Sequence, residues 1–169
     1  MRIDARLSPE YRATMYAVRS LDKTLQKIIR RETKRIAAPE WSKALAERAD
    51  SRLEHRALVD TSVVTVSNQN IKVRSASKGR PLSGGFDPKV HHYAAEFGVD
   101  KSKPATFTRR GKRGGTHKVT RKPAANLKPR NKRGYVFYPA AREMIPRLAA
   151  LWVQTTVRTI ANALEGKQE

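Results

Sequence analysis

Cysteine is absent from the 169 residues, so neither a disulfide framework nor a thiolate metal site can be built from this chain. Long apolar runs are missing as well. Nowhere do about 18 apolar residues follow one another, and the opening stretch MRIDARLSPEYRATMY lacks the apolar centre of a secretory signal. The expectation is a chain without a membrane span, made and kept in a cytoplasm. Acidic residues are scarce: 15 Asp and Glu stand against 36 Lys and Arg, a net charge of +21. Apolar residues make up 38% of the chain, aromatics only 7%, and mean hydropathy is −0.68. One domain of this length can bury about 70% of its unfolded surface. The modest apolar share therefore implies that part of the chain lies outside the core and that partners supply some burial.

Catalytic groups are few. The four histidines are His55, His91, His92 and His117. His91 and His92 are adjacent, and in a strand they would point to opposite faces, unfit to share a metal. Glu96, beside Phe97 and Gly98, reads as an interface or structural carboxylate rather than a general base, because no second carboxylate or cation stands at a telling spacing. The glycine- and proline-containing stretch KGRPLSGG (78–85) lacks the GK[ST] ending of a phosphate cradle and reads as a connector. The expectation is a protein without enzymatic activity, cofactor or metal.

What is present in quantity is positive charge, and it is concentrated. Residues 101–133 carry thirteen Lys and Arg and no acid: Lys101, Lys103, Arg109, Arg110, Lys112, Arg113, Lys118, Arg121, Lys122, Lys128, Arg130, Lys132 and Arg133. The rest of the chain keeps +8. This segment holds three prolines and a GKRGG turn but no core-forming pattern, so it reads as an extended hairpin arm with strands near Thr106–Thr108 and His117–Thr120. The cations from Arg109 to Arg133 are the candidate contacts to a polyanion or an acidic partner, made by charge through counterion release and not by reading sequence.

Around the arm the periodicity alternates between helix and strand. Ser8, Pro9 and Glu10 begin a helix whose stripe, Tyr11, Met15, Val18, Leu21, Leu25, Ile28 or Ile29, and Ile36, predicts about seven continuous turns. Pro39 is expected to break it and to open a second helix reaching about His55. The runs VDTSVVTVS and IKVRSAS predict a hairpin turned at Asn68–Asn70, with Lys72 and Arg74 on its wet side. Asp87 and Pro88 look like a cap and first helical residue opening a short turn, followed by an apolar strand near His91–Phe97. Tyr135–Tyr138, fenced by Gly134 and Pro139, reads as another short strand. It feeds an amphipathic helix with Ile145, Leu148, Trp152, Thr156, Ile160 and Ala163 on one stripe.

The fold expected is α+β, a single domain over 1–169. Its helical part is 8–55, its β-hairpin 59–76, its basic arm 101–133, and a strand plus C-terminal amphipathic helix fill 134–164. Three motifs in this order, LSGG (82–85), YAAEFGVD (93–100) and GYVFYPAAREMIPRL (134–148), resemble the head-tail joining proteins of long-tailed bacteriophages. These are tail-completion or neck proteins lying between the head-closure ring and the tail tube. The resemblance implies a ring on the tail axis, a hexamer. It also implies partners in the head-closure proteins and the tail tube or tail terminator, a place in the virion neck after assembly in the host cytoplasm, and no enzymatic activity. The arm is longer and more basic than the family leads one to expect, which leaves it to dock on a neighbouring ring or to face genomic DNA in the channel. Glu96, Phe97, Tyr135, Phe137 and Trp152 are then the candidate subunit contacts. Two other readings share the sequence features: a tail-terminator ring capping the tube, and a sequence-independent nucleic-acid-binding protein acting through the arm.

Overall fold

The computed structural model describes residues 9–77, 80–82, 85–102, 104–112, 114–121 and 127–165. The fold is α+β: helices packed with a small antiparallel hairpin, and a second hairpin set apart. In order come α1 (Pro9–Ser20), α2 (Lys23–Ala46) and α3 (Arg52–Glu54), which runs into a π-helical turn (His55–Val59). Then follow β1 (Val63–Val66), β2 (Ile71–Arg74), α4 (Pro88–Phe97), β3 (Ala105–Arg110), β4 (Thr116–Arg121) and α5 (Phe137–Leu164).

The expected seven-turn helix is two helices. Asp22 interrupts it by accepting the Thr24 N–H at 2.9 Å, which caps α2. The Gln26 side-chain amide donates to the Leu21 carbonyl at 3.0 Å, covering an end that α1 leaves open. Pro39, in turn, does not break α2. It is exposed, so the carbonyl of Arg35 that loses its N–H partner can face water, and the helix continues to Ala46. The cap at Ser8 lies outside the described residues.

The core is an antiparallel pair, α2 and α5, with the β1–β2 hairpin laid against it. Trp41 near the end of α2 meets Phe137 at the start of α5, edge to face at 5.4 Å. Ile29, three turns earlier on α2, shares a cluster with Trp152, four turns further on α5. Both tryptophans are fully buried, each worth roughly 1.5–3 kcal/mol in apolar burial. β1 pairs with β2 from Val63↔Arg74 to Val66↔Ile71, turned at Asn68–Asn70 as expected. Val64 is buried while Lys72 and Arg74 are exposed. α1 closes the far end, with Tyr11 stacked obliquely on Trp152 at 4.8 Å and its hydroxyl donating to the Gln69 carbonyl at 3.2 Å.

Two expected strands are helical. His91–Phe97 belongs to α4, whose cap is Asp87, accepting the Lys89 N–H at 2.9 Å, with Pro88 at the first turn. Phe137–Tyr138 opens α5, and Pro139 falls within the first turn, where a missing N–H costs nothing. Pro39 should therefore be a tolerated cost, not a requirement. Pro39→Ala restores one N–H and is expected to raise unfolding free energy by about 1–3 kcal/mol in urea titration; a loss of stability would mean that the proline geometry is needed for packing.

Candidate functional site

The basic segment forms a hairpin. β3 and β4 pair antiparallel from Ala105↔Arg121 to Arg110↔Thr116, and the tip closes through the Gly111 N–H to the Gly115 carbonyl at 2.7 Å. Gly114 at the tip holds φ +84°, the left-handed region that glycine enters freely. Alternation along the strands places Phe107, Arg109, His117, Val119 and Arg121 on one face and Thr106, Thr108, Arg110, Thr116, Lys118 and Thr120 on the other. Apart from the half-buried Val119, both faces are exposed wherever side chains are described, so neither packs on the body. Arg109, Arg110, Lys112, Lys118 and Arg121 are all exposed, and cations stand on both sides of the ribbon. Arg113 and Lys122, also expected to contribute, lie outside the described residues.

The described residues flanking the hairpin, 96–99 and 128–135, form a dense junction between the end of α4 and the start of α5. The Val99 N–H donates to the Lys128 carbonyl at 3.0 Å, the Asn131 N–H to the Phe97 carbonyl at 2.7 Å, and the Tyr135 N–H to the Glu96 carbonyl at 2.9 Å. Gly98, at φ +67°, lies so close to Pro129 that an added Cβ would sit 2.1 Å from the Pro129 carbonyl oxygen. The Glu96 carboxylate accepts N–H bonds from Val136 (3.3 Å), Phe137 (2.7 Å) and Tyr138 (3.0 Å), which are the donors that α5 leaves open at its N-terminus. Burial pushes the Glu96 pKa above its ordinary 4.5, while these N–H groups oppose the rise.

Lys128 is also structural. Its ammonium lies 2.8 Å from Asp50 and 2.9 Å from Glu54, and 4.7 Å from the centre of the Tyr135 ring. Burial acts to lower its pKa, but the hydrogen bonds and charges of Asp50 and Glu54 outweigh it and hold the pKa above 10.5. Glu54 already closes a capping box with Ser51 and is itself buried.

The candidate residues thus divide by environment. Arg109, Arg110, Lys112, Lys118 and Arg121 are on the hairpin, and Arg130, Lys132 and Arg133 are exposed on the returning loop at its root. Lys128 is corrected from a polyanion contact to an internal ion pair, because Asp50 and Glu54 already neutralise it. Glu96 and Trp152 are corrected as subunit contacts: at 2% and 0% exposure both are covered by their own chain, Glu96 as a helix cap and Trp152 as core. Phe97, Tyr135 and Phe137 are half-buried, with Phe97 against Tyr138 at 5.3 Å and Phe137 against Trp41. His91 accepts the Asp87 N–H at 3.1 Å, and His92 lies 3.2 Å from the Lys89 carbonyl. Among the described residues no three His, Asp or Glu side chains come together as a metal site, and no helix is long and apolar enough to cross a membrane.

Sequence reasoning missed the Ser51–Glu54 box, although S-x-x-E is its signature, and missed that it would capture Lys128. It also passed over the groove of about 580 Å³ between α4 and the returning loop, lined by Tyr93, Phe97, Arg130 and Lys132 among others. Compared with protein-family models, curated proteins and solved structures, the chain matches none of them.

Glu96→Ala leaves the N–H groups opening α5 without their acceptor and should cost about 2–4 kcal/mol, read as a fall in melting temperature. The pH dependence has a definite sign. An acid whose folded pKa is raised keeps its proton in the folded state where the unfolded chain has released it, so its contribution is greatest below 4.5 and declines as pH rises through the folded value. The stability of the native chain relative to Glu96→Gln should therefore fall from pH 4.5 upwards and then level. A difference that grows with pH would show that the N–H donors, not burial, govern this carboxylate.

Proposed function

We propose that this chain is a non-catalytic structural protein of the phage neck, a ring subunit joining the DNA-filled head, through its portal and head-closure complex, to the tail tube. The observation that carries this reading is the hairpin: a two-stranded ribbon packed on neither face, charged on both, and held at its base by the junction of α4 and α5. Such a ribbon adds nothing to the core and is suited to reach a neighbour. The order of the EFG turn, the aromatic segment and the C-terminal helix, which underlies the resemblance to head-tail joining proteins, supports the same reading. A tail-terminator ring capping the tube would draw on the same features.

Because cations line both faces of the ribbon, they suit an extended polyanion or an acidic ring surface and do not single out a base sequence. The same observation favours a second reading, sequence-independent nucleic-acid binding by the isolated subunit.

The separating experiment is light scattering on the full chain and on a form in which Ser102–Asn126 is replaced by a six-residue glycine-serine linker. The excision stops before Lys128 so that the ion pair with Asp50 and Glu54 survives. Discrete oligomers, or a defined assembly with tail-tube and head-closure proteins, that weaken on excision support the neck reading. If both forms stay monomeric and only the full chain binds duplex DNA, with log affinity falling by about 0.9 per neutralised phosphate for each unit of log salt, the nucleic-acid reading replaces it.

A further inference from the structure

We propose that the chain binds a second copy of itself head to tail, the exposed face of α4 on one copy receiving the last turns of α5 from the next. This rests on the ring reading above and names the surfaces through which such a ring would close.

The first surface is a helical ridge. Val90, Tyr93 and Phe97 fall at i, i+3 and i+7 on α4, and Val90 and Tyr93 are 58% and 55% exposed. No core position demands them: the buried face of α4 is Pro88, Ala94, Ala95 and Glu96. The groove of about 580 Å³ begins at Tyr93 and Phe97, and its charged lining is two cations, Arg130 and Lys132, against one acid, Asp100.

The second surface has the same pitch. Thr156 is the last buried residue of α5, yet Val157, Ile160 and Leu164 continue at i, i+3 and i+7, with Val157 at 61% and Leu164 at 84% exposure. α2 runs antiparallel to α5 and begins at Lys23, only six residues before the Ile29 that lies level with Trp152. The final turns of α5 therefore run out beyond the partner helix that buries the rest. Each ridge spans about 10 Å, so the two match in length.

Charge selects the orientation. α5 has no basic residue in its last turn, so the negative end of its dipole lies beside the Val157–Leu164 ridge without a lysine or arginine from that turn. In a chain of net charge +21 such a helix end suits a groove whose lining carries one more cation than acid. The two ridges lie at opposite ends of α5, about 30–40 Å apart at 1.5 Å per residue, and cannot meet within one chain. A contact between different patches of identical chains is heterologous, and its repetition closes into a ring or extends into a filament.

The test uses the full chain in moderate salt, which screens its self-repulsion, with two variants at exposed positions, Tyr93→Lys and Val157→Lys. Far-UV dichroism and melting confirm that each is folded; Val90→Lys and Leu164→Lys are the second pair. Each variant alone should run as the 19.1 kDa monomer in sedimentation. Mixed one to one they should form dimers of about twice that mass and nothing larger, because one intact contact survives and the other sets lysine against lysine. Native oligomers that persist in both single variants, or a mixture that stays monomeric, overturn the head-to-tail contact while leaving the ring reading standing. A native chain that is itself monomeric at tens of micromolar overturns the contact, and the neck reading falls with it only if no defined assembly with tail-tube and head-closure proteins forms either.

Discussion

The carboxylate of Glu96 at the head of α5 is the interaction on which the arrangement depends. A helix of 28 residues leaves donors open at its N-terminus, and here they are wholly buried at Val136 and partly buried at Phe137 and Tyr138. Glu96 supplies their acceptor from another helix, so the cap is also a tertiary contact. It fixes where α5 begins, how α4 lies against it, and, through the Glu96 carbonyl and Tyr135 N–H, where the returning loop must pass. Gly134, at φ +79°, brings the backbone so near that an added Cβ would lie 2.2 Å from the same carboxylate. The close approach explains why glycine stands there.

From this junction the separation of roles follows. The polypeptide leaves at Val99 and returns at Lys128, and the Val99 N–H donates to the Lys128 carbonyl, so the two ends of the basic segment are held together at the body. A highly charged ribbon would destabilise a compact domain by self-repulsion if it lay against it. The described side chains of the β3–β4 ribbon are exposed apart from the half-buried Val119, so its charge is met by water and not by the α2–α5 core. Among the described cations of the segment, the one drawn inward, Lys128, is the one that meets two carboxylates.

Much of this was legible in the sequence and some was not, for identifiable reasons. The β1–β2 hairpin, its turn and its wet face could be read because alternation and asparagine turn chemistry are local properties. The basic hairpin strands could be read from β-branched pairs flanking a glycine turn. The register break at Asp22 was obscured because Leu21 and Leu25 continue the apolar stripe across it, and periodicity is blind to a cap that resets it. Tyr135–Tyr138 has strand composition, but its N–H groups are claimed by a residue 40 positions away, and composition carries no information about that. Lys128 looked like its neighbours because charge in a sequence does not say which side chains are already paired.

The same reasoning bears on what remains exposed. A stripe at helical spacing ordinarily marks core, and the α5 stripe continues through Ile160 to Ala163. Among the described residues, α2 begins too late in the chain to reach those turns, and the stripe is only partly covered: Ile160 is half-buried while Ala163 is exposed. Apolar ridges on α4 and at the end of α5 are left over after the core is complete, alongside the separately exposed Tyr16, Ile36 and Phe107. Their cost in water is modest for one subunit and would be recovered wherever two such surfaces meet, which makes the leftover ridges a physical argument for assembly that is independent of the hairpin and its charge.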